Sequence, residues 1–179
     1  MTVARFDVEA LAARALHLMG DGAFAEFTRV FHAKAVNHEA VAEPPASRER
    51  GPAGFYASAL WLRDAFGGVH WKINNVLTDG HLVAVNATMS GRHTGTFITF
   101  DEEGRPAQAY PATGRPFTTK QTHWLRVIDE KVVEHWANRD DVGLAMQLGW
   151  IPPSPRYMFR MARALRKARR GYVPLLAGS

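Results

Sequence analysis

The sequence predicts an α+β fold: a cone-shaped, half-open barrel, with N-terminal helices packed on a curved antiparallel sheet and an extra helix at the C-terminus. Three observations predict it. Apolar residues recur at helical spacing through the first third of the chain. They switch to alternation after Gly67-Gly68, and the last alternating segment runs straight into a short apolar helix. Helices first, then a meander of about four to six strands, then a closing helix, is the order of helices laid against one face of a sheet. Such a sheet is too short to close on itself. It wraps around the helices and encloses one pocket.

Each element has its own signal. Val8, Leu11, Ala12, Ala15, Leu18 and Met19 give Phe6–Met19 a helical stripe, which Gly20-Asp21-Gly22 breaks. Phe24, Phe27, Val30 and Phe31 mark a second short helix. Val36-Asn37-His38 begins an irregular stretch, and Glu43-Pro44-Pro45 through Arg50 reads as loop. Gly51-Pro52 opens a third helix, proline being well suited to a first helical turn, with Phe55, Ala59, Leu62 and Phe66 on one face. Val69, Trp71 and Ile73 then alternate with polar residues, and Asp79-Gly80 is a hairpin turn signal. Leu82–His93 is a long strand with Val83, Val85, Ala87 and Met89 on one face. The same parity carries His93 to the apolar side. Thr96–Phe100 extends the sheet, and Asp101–Gly114 reads as a polar hairpin loop or flap. Phe117–Ile128 places Thr119, Gln121 and His123 between Phe117 and Leu125 on a single face. After the turn at Asp129-Glu130-Lys131, the strand Val132–Asn138 groups His135 with Val133 and Ala137. Glu134 marks the opposite, wetter face. Val142–Leu148 is a short helix ended by Gly149. Pro152, Pro153 and Pro155 form a stiff linker, and Arg156–Arg170 is a basic helix with Met158, Met161, Ala162 and Leu165 as its apolar stripe.

With 179 residues, of which 46% are hydrophobic, the chain is read as one α+β domain over residues 1–151. Residues 152–179 follow it as a Pro-rich linker and basic helix, packed on the domain or extending from it. The absence of cysteine excludes disulfides, thiolate catalysis and cysteine-ligated metal. No apolar run is long enough for a transmembrane helix, and the N-terminus lacks the apolar core of a signal peptide, so a cytoplasmic location is the default expectation. The net charge of +5 is local. Seven basic residues and no acidic ones lie between Ser154 and Ser179, leaving 15 basic against 17 acidic residues in the other 153. A mildly acidic body does not suggest a nucleic-acid surface. The basic helix is expected to pack through its stripe with its arginines solvated, rather than to bind an anionic membrane or an acidic partner.

The segment Val132–Trp150, VVEHWANRDDVGLAMQLGW, gathers His135, Trp136, Asn138, Asp140 and Asp141 where an apolar strand meets a helix. A carboxylate at such a strand end can be desolvated and retuned. Strand parity brings His93, His123 and His135 to the inner face, where Gln121, Thr119, Asn138 and Asn37 can add hydrogen bonds. One of the two aspartates caps the following helix. That role is assigned to Asp141, leaving Asp140 for acid/base chemistry. The three histidines with Asp140 could instead be read as metal ligands, but they come from separate strands without a compact ligand motif, so no metal site is assigned. The five tryptophans are read mainly as core, with one or two lining an aromatic pocket.

Five blocks then resemble a known family in order and spacing: GPAGFYASALWLRDAFGG (Gly51–Gly68), the Asp79-Gly80 turn, SGRHTGTF (Ser90–Phe97), PATGRPF (Pro111–Phe117) and VVEHWANRDDVGLAMQLG (Val132–Gly149). They resemble the SnoaL-like polyketide cyclases, or ester cyclases, of the nuclear-transport-factor-2-like superfamily, over about Asp21 to Gly149. The resemblance implies a cone-shaped α+β barrel, a homo-oligomer, and ring closure by intramolecular aldol chemistry on a hydrophobic polyketide ester without cofactor or metal. It implies an acid/base aspartate at the end of the last strand, a role that fits Asp140, with His93 of the HTG block assisting. Asn37, His38 and Asn138 resemble polar positions of the cavity, and Gln121, His123, His135 and Trp136 complete the expected substrate contacts. The sequence departs from the family at Ile98–Tyr110, an insertion expected to cover or narrow the pocket mouth, at Phe66-Gly67-Gly68 where the family carries FPD, and in the basic helix after Pro155. Two other functions fit the same frame. One is an epoxide hydrolase of the superfamily, which needs an arginine between two carboxylates; Arg126 and Asp129 are the nearest such pair, but Arg126 has the wrong parity. The other is a small-molecule-binding module without catalysis.

Overall fold

A computed structural model describes residues 7–172. Phe6, the start of the first predicted helix, and the last residues of the basic tail lie outside that range. Helix α1 (Val8–Asp21) begins where the Asp7 carboxylate accepts hydrogen bonds from the Glu9 and Ala10 amides, and it buries Ala12, Ala15, Leu16 and Leu18. Helix α2 (Phe24–Val30) delivers Phe27 to the core and leads directly into strand β1 (Phe31–Asn37). Two short 3-10 turns separate β1 from helix α3 (Pro52–Ala65), which has proline in its first turn.

Strands β2 (Phe66–Asp79), β3 (Leu82–His93), β6 (Pro116–Ile128) and β7 (Lys131–Arg139) form an antiparallel meander. The sheet order is β1-β7-β6-β3-β2, with β1 parallel to β7 at one edge. The sheet curves without closing, and α1 and α3 pack on its concave face. The alternation read from the sequence is the cause. In β3, Val83, Val85, Ala87 and Met89 are buried. In β6, Phe117, Thr119, Gln121, His123, Leu125 and Val127 are all buried. Each large apolar side chain buried completely here, such as Phe27, Phe66 or Leu125, contributes roughly 1.5–3 kcal/mol.

Four expectations are corrected. Phe31, read as part of the second helix, and Val36-Asn37, read as the start of an irregular stretch, both belong to β1, a strand with only two fully buried positions, Phe31 and Ala35, and hence no clear alternation. The predicted flap is a second, two-stranded sheet, β4 (Phe97–Phe100) with β5 (Pro106–Tyr110), and β4 does not extend the main sheet. In β7 a bulge at Val133 sets Val127 opposite Val132 and Arg126 opposite Glu134, so Val132 is buried as well as His135 turned inward. Finally, helix α4 runs Asp141–Leu148, and its N-cap is Asp140, whose Oδ1 accepts from the Gly143 amide at 2.8 Å. Gly149, with φ 72°, ends α4 in the left-handed region that glycine adopts without strain.

Helix α5 (Pro155–Gly171) lies against β5. The Tyr157 hydroxyl donates to the Pro111 carbonyl at 3.0 Å, Arg160 to Ala112 O at 3.0 Å and Arg169 to Pro106 O at 3.1 Å. The buried stripe is shifted from the expected one. Tyr157 is buried and Met161 and Leu165 partly so, whereas Met158 is 55% exposed and Ala162 is also exposed. Among the described residues, no helix is long and apolar enough to cross a membrane.

Candidate functional site

Between the concave face of the sheet and helices α1 and α3 lies a cavity of about 350 Å³. Its walls are mostly apolar, from Leu16, Phe31, Phe55, Leu62, Phe66 and Met89 among others. Trp61, Trp71 and Trp150 also line it, more aromatic surface than the sequence reading allowed. The inserted hairpin contributes Thr99 and Tyr110. Tyr110 stacks on Trp150 with ring centroids 4.3 Å apart, so the insertion forms one end of the chamber.

A row of polar groups crosses this apolar space. Trp71 Nε1 donates to Gln121 Oε1 at 3.0 Å, and His123 Nε2 lies 2.9 Å from the same oxygen. His123 Nδ1 is 2.9 Å from His135 Nε2, and His135 Nδ1 is 2.9 Å from Asn37 Oδ1. Asn37 Nδ2 reaches the Ser58 hydroxyl at 3.4 Å, and that hydroxyl in turn donates to the Glu43 carboxylate. The fold explains the assembly. Leu125 opposes His135 in the β6–β7 register, so His123 and His135 stand diagonally across two strands, and Asn37 on β1 pairs directly with His135. Burial drives His123 down to about 3, and burial with His123 and Arg139 nearby drives His135 well below the ordinary imidazole range. Glu43, 5% exposed, is pushed up by burial against the opposing effect of its Ser58 hydrogen bond.

At the rim of the row stands Arg139. Its guanidinium lies 3.2 Å from Glu39 Oε2 and 3.5 Å from Asp141 Oδ1, and all three side chains line the cavity. Glu39 is further fixed by the Ala137 amide, which donates to Oε1 at 3.0 Å.

Of the residues singled out from the sequence, Asn37, Gln121, His123 and His135 meet in this cavity. His38, Trp136 and Asn138 do not line it. The His38 and Trp136 rings form an edge-to-face pair at 6.2 Å, and Asn138 Oδ1 accepts from Trp124 Nε1 at 2.9 Å, both outcomes of their lying on the opposite face of β7 or beyond its edge. His93 is buried as expected, at 0% exposure, but behind the cavity wall. Its ring packs edge-to-face on Trp150 at 5.2 Å, its Nδ1 accepts from the Thr113 amide at 3.3 Å, and burial lowers it to about 4. Asp140 is exposed and caps α4; the member of the acidic pair that lines the cavity is Asp141. His93, His123, His135 and Asp140 therefore do not converge as a ligand set, and no group of three or more potential metal ligands occurs among the described residues. Arg126 pairs with Glu134 at 3.2 Å on the other face of the sheet.

Sequence reasoning missed Glu39, Glu43, Ser58 and Arg139. The two glutamates sit in a segment without periodicity, and no local motif distinguishes them. Arg139 was legible in principle: it shares parity with His135 and Ala137.

The comparisons with known proteins bear on the family and the fold. The family model of SnoaL-like polyketide cyclases matches residues 10–148. The aklanonic acid methyl ester cyclase DnrD of Streptomyces peucetius is 29% identical over 146 residues, covering 81% of this chain and 92% of DnrD. The aklanonic acid methyl ester cyclase DauD of Streptomyces sp. strain C5 is 33% identical over 107 residues, 59% of this chain and 60% of DauD. Among solved structures, TsrD from Streptomyces laurentii matches with a TM-score of 0.65 at 22% identity, covering 82% of this chain and 98% of TsrD. A SnoaL-like polyketide cyclase from Agrobacterium tumefaciens matches with a TM-score of 0.57 at 14% identity, covering 78% of this chain and 95% of that one. These two likenesses show the fold. From the family match over most of its length, the chain belongs to the SnoaL-like polyketide cyclases, within the nuclear-transport-factor-2-like superfamily.

Proposed function

We propose that this protein closes a ring in a hydrophobic polyketide ester of secondary metabolism by intramolecular aldol chemistry, using acid/base groups of its cavity. The observation that carries the reading is the hydrogen-bonded row from Trp71 to Glu43 across an otherwise apolar chamber. An aldol closure needs a base for the proton beside a carbonyl, a donor for the enolate oxygen, and a dry space in which both act strongly. The imidazoles and the Glu43 carboxyl are proton carriers placed inside that space. Arg139, the cation of the lining, is oriented by Glu39 and Asp141 to meet the developing negative oxygen. The acidic contribution of the β7 end comes through Asp141, with Asp140 fixing the helix that carries it. His93 supports the site from behind, holding Thr113 and Trp150. The substrate class follows the two relatives, which act on aklanonic acid methyl ester. The test is incubation of that ester with the protein. The reading expects a cyclised product of unchanged mass, and it fails if the ester binds in the cavity and is recovered open.

One observation favours a second reading. An arginine held between two carboxylates at a cavity is the set expected of an epoxide hydrolase, and it is assembled here by Arg139, Glu39 and Asp141 rather than by Arg126 and Asp129. Hydrolysis of a hydrophobic epoxide to the diol, with no turnover of the ester, would select it.

A further inference from the structure

The proton count of the polar row does not close. Trp71 Nε1–H can only donate, so the atom it meets at 3.0 Å is fixed as the carbonyl oxygen of Gln121. The same oxygen is 2.9 Å from His123 Nε2, which must therefore bear a proton. At the other end the backbone N–H of Glu39 donates to Asn37 Oδ1 at 3.2 Å and fixes that atom as an acceptor. The same oxygen is 2.9 Å from His135 Nδ1, which must bear a proton too. Between them His123 Nδ1 and His135 Nε2, 2.9 Å apart, need one proton to share. Three contacts require three ring protons, and two neutral imidazoles carry two.

We infer that the His123–His135 pair is the proton acceptor of the cavity, one proton short at rest, and that it takes this proton from a carbon acid activated by a neighbouring carbonyl. The substrate C–H bond breaks, its electron pair enters the enolate, and the proton completes the row. The enolate carbon then bonds to a ketone carbon of the same molecule, whose C=O pair becomes an alkoxide, and the alkoxide recovers the proton. Nothing is oxidised or reduced. The substrate in this inference rests on the ring-closing reading above; the proton count rests on geometry alone.

The shortage falls at the His135 end. His123 is buried, whereas His135 is only partly so, and the remaining contact of Asn37, to Ser58, is long at 3.4 Å. A small rotation of His135 away from Asn37 relieves the repulsion between two acceptors and turns a free lone pair to the cavity. The charged and titratable groups around the pair are Arg139 on β7, His38, Glu39 and Glu43 after β1, and Asp141 on α4. Burial and Arg139 disfavour a resting imidazolium, which keeps the pair available as a base. Glu39 and Asp141 offset Arg139 and permit the transient cation.

The test is nitrogen NMR of the intact protein labelled in its histidine rings, with His123→Gln and His135→Gln used for assignment. The pair is expected to hold two ring protons at pH 7 and to gain a third in one step on acidification. In Asn37→Asp, a carboxylate beside His135 Nδ1 moves the midpoint of that step upward. The acid limb of turnover of aklanonic acid methyl ester, falling about tenfold per pH unit, moves upward with it. Three ring protons at pH 7, two independent steps, or an acid limb that ignores Asn37→Asp overturns the inference. If the native protein leaves the ester unchanged, the ring-closing reading falls, and the ring-proton count still decides whether the pair is one short.

Discussion

Replacing Asp140 with alanine separates helix capping from catalysis. The Asp140 carboxylate accepts from the Gly143 amide at 2.8 Å, and it lies so close that a Cβ added to Gly143 would stand 2.1 Å from Oδ2. Loss of an N-cap costs about 1 kcal/mol, and loss of an acidic charge at a helix N-terminus a further ~0.3–1 kcal/mol. For a chain of this size each kcal/mol lowers Tm by about 2–4 °C, so a fall of about 3–8 °C is expected. The assay is thermal unfolding by circular dichroism, paired with initial rates on aklanonic acid methyl ester. Gly143→Ala, which crowds the same cap, is expected to lower Tm while keeping both aspartates. Because Asp140 is exposed and outside the cavity, the rate stays within about threefold of the native rate, whereas losing an acid/base group costs roughly 10²–10⁴-fold. An unchanged Tm with a hundredfold loss of rate in Asp140→Ala refutes the capping argument and returns the acid/base role to Asp140.

Other perturbations have definite signs. Glu43 is raised by burial, so its contribution to stability is full below its unfolded pKa and is lost as pH rises through the folded one. Glu43→Gln is therefore expected to gain stability relative to the native protein at pH 8 and to show little difference near pH 4, in denaturant titrations at the two pH values. His93 is lowered to about 4, so its stabilisation is present above about pH 6.5 and declines as pH falls toward 4, by an amount of order 2–3 kcal/mol. His93→Phe is expected to flatten that decline in the same titrations. Tyr157→Ala removes a buried ring and its bond to Pro111 O, at a cost of roughly 3 kcal/mol. Hydrogen exchange should then show α5 and β5 losing protection together while β3 and β6 keep theirs.

The parts of the molecule legible in the sequence are those where one face of an element is buried throughout. Strands β3 and β6 alternate strictly, and that alternation located Gln121 and His123 in the cavity wall. What escaped has physical causes. Strand β1 buries too few residues to show a period, and with it went the register that sets Asn37 beside His135. The bulge at Val133 changes parity inside β7 and brings Val132 to the core. The choice between Asp140 and Asp141 turns on which residue first adopts helical geometry, a one-residue difference that pattern cannot resolve. His93 satisfied parity and still missed the cavity, because position along a strand decides which depth of the cone a side chain reaches.

The central claim is that the cavity removes a proton from carbon. It is tested most directly by dissolving aklanonic acid methyl ester with the protein in deuterium oxide and following its acidic C–H positions by NMR. The account predicts deuterium entering those positions together with cyclised product, and both processes slowed at least about a hundredfold in His135→Gln. An ester that binds in the cavity yet neither exchanges nor cyclises, or that does both at the native rate in His135→Gln, contradicts it.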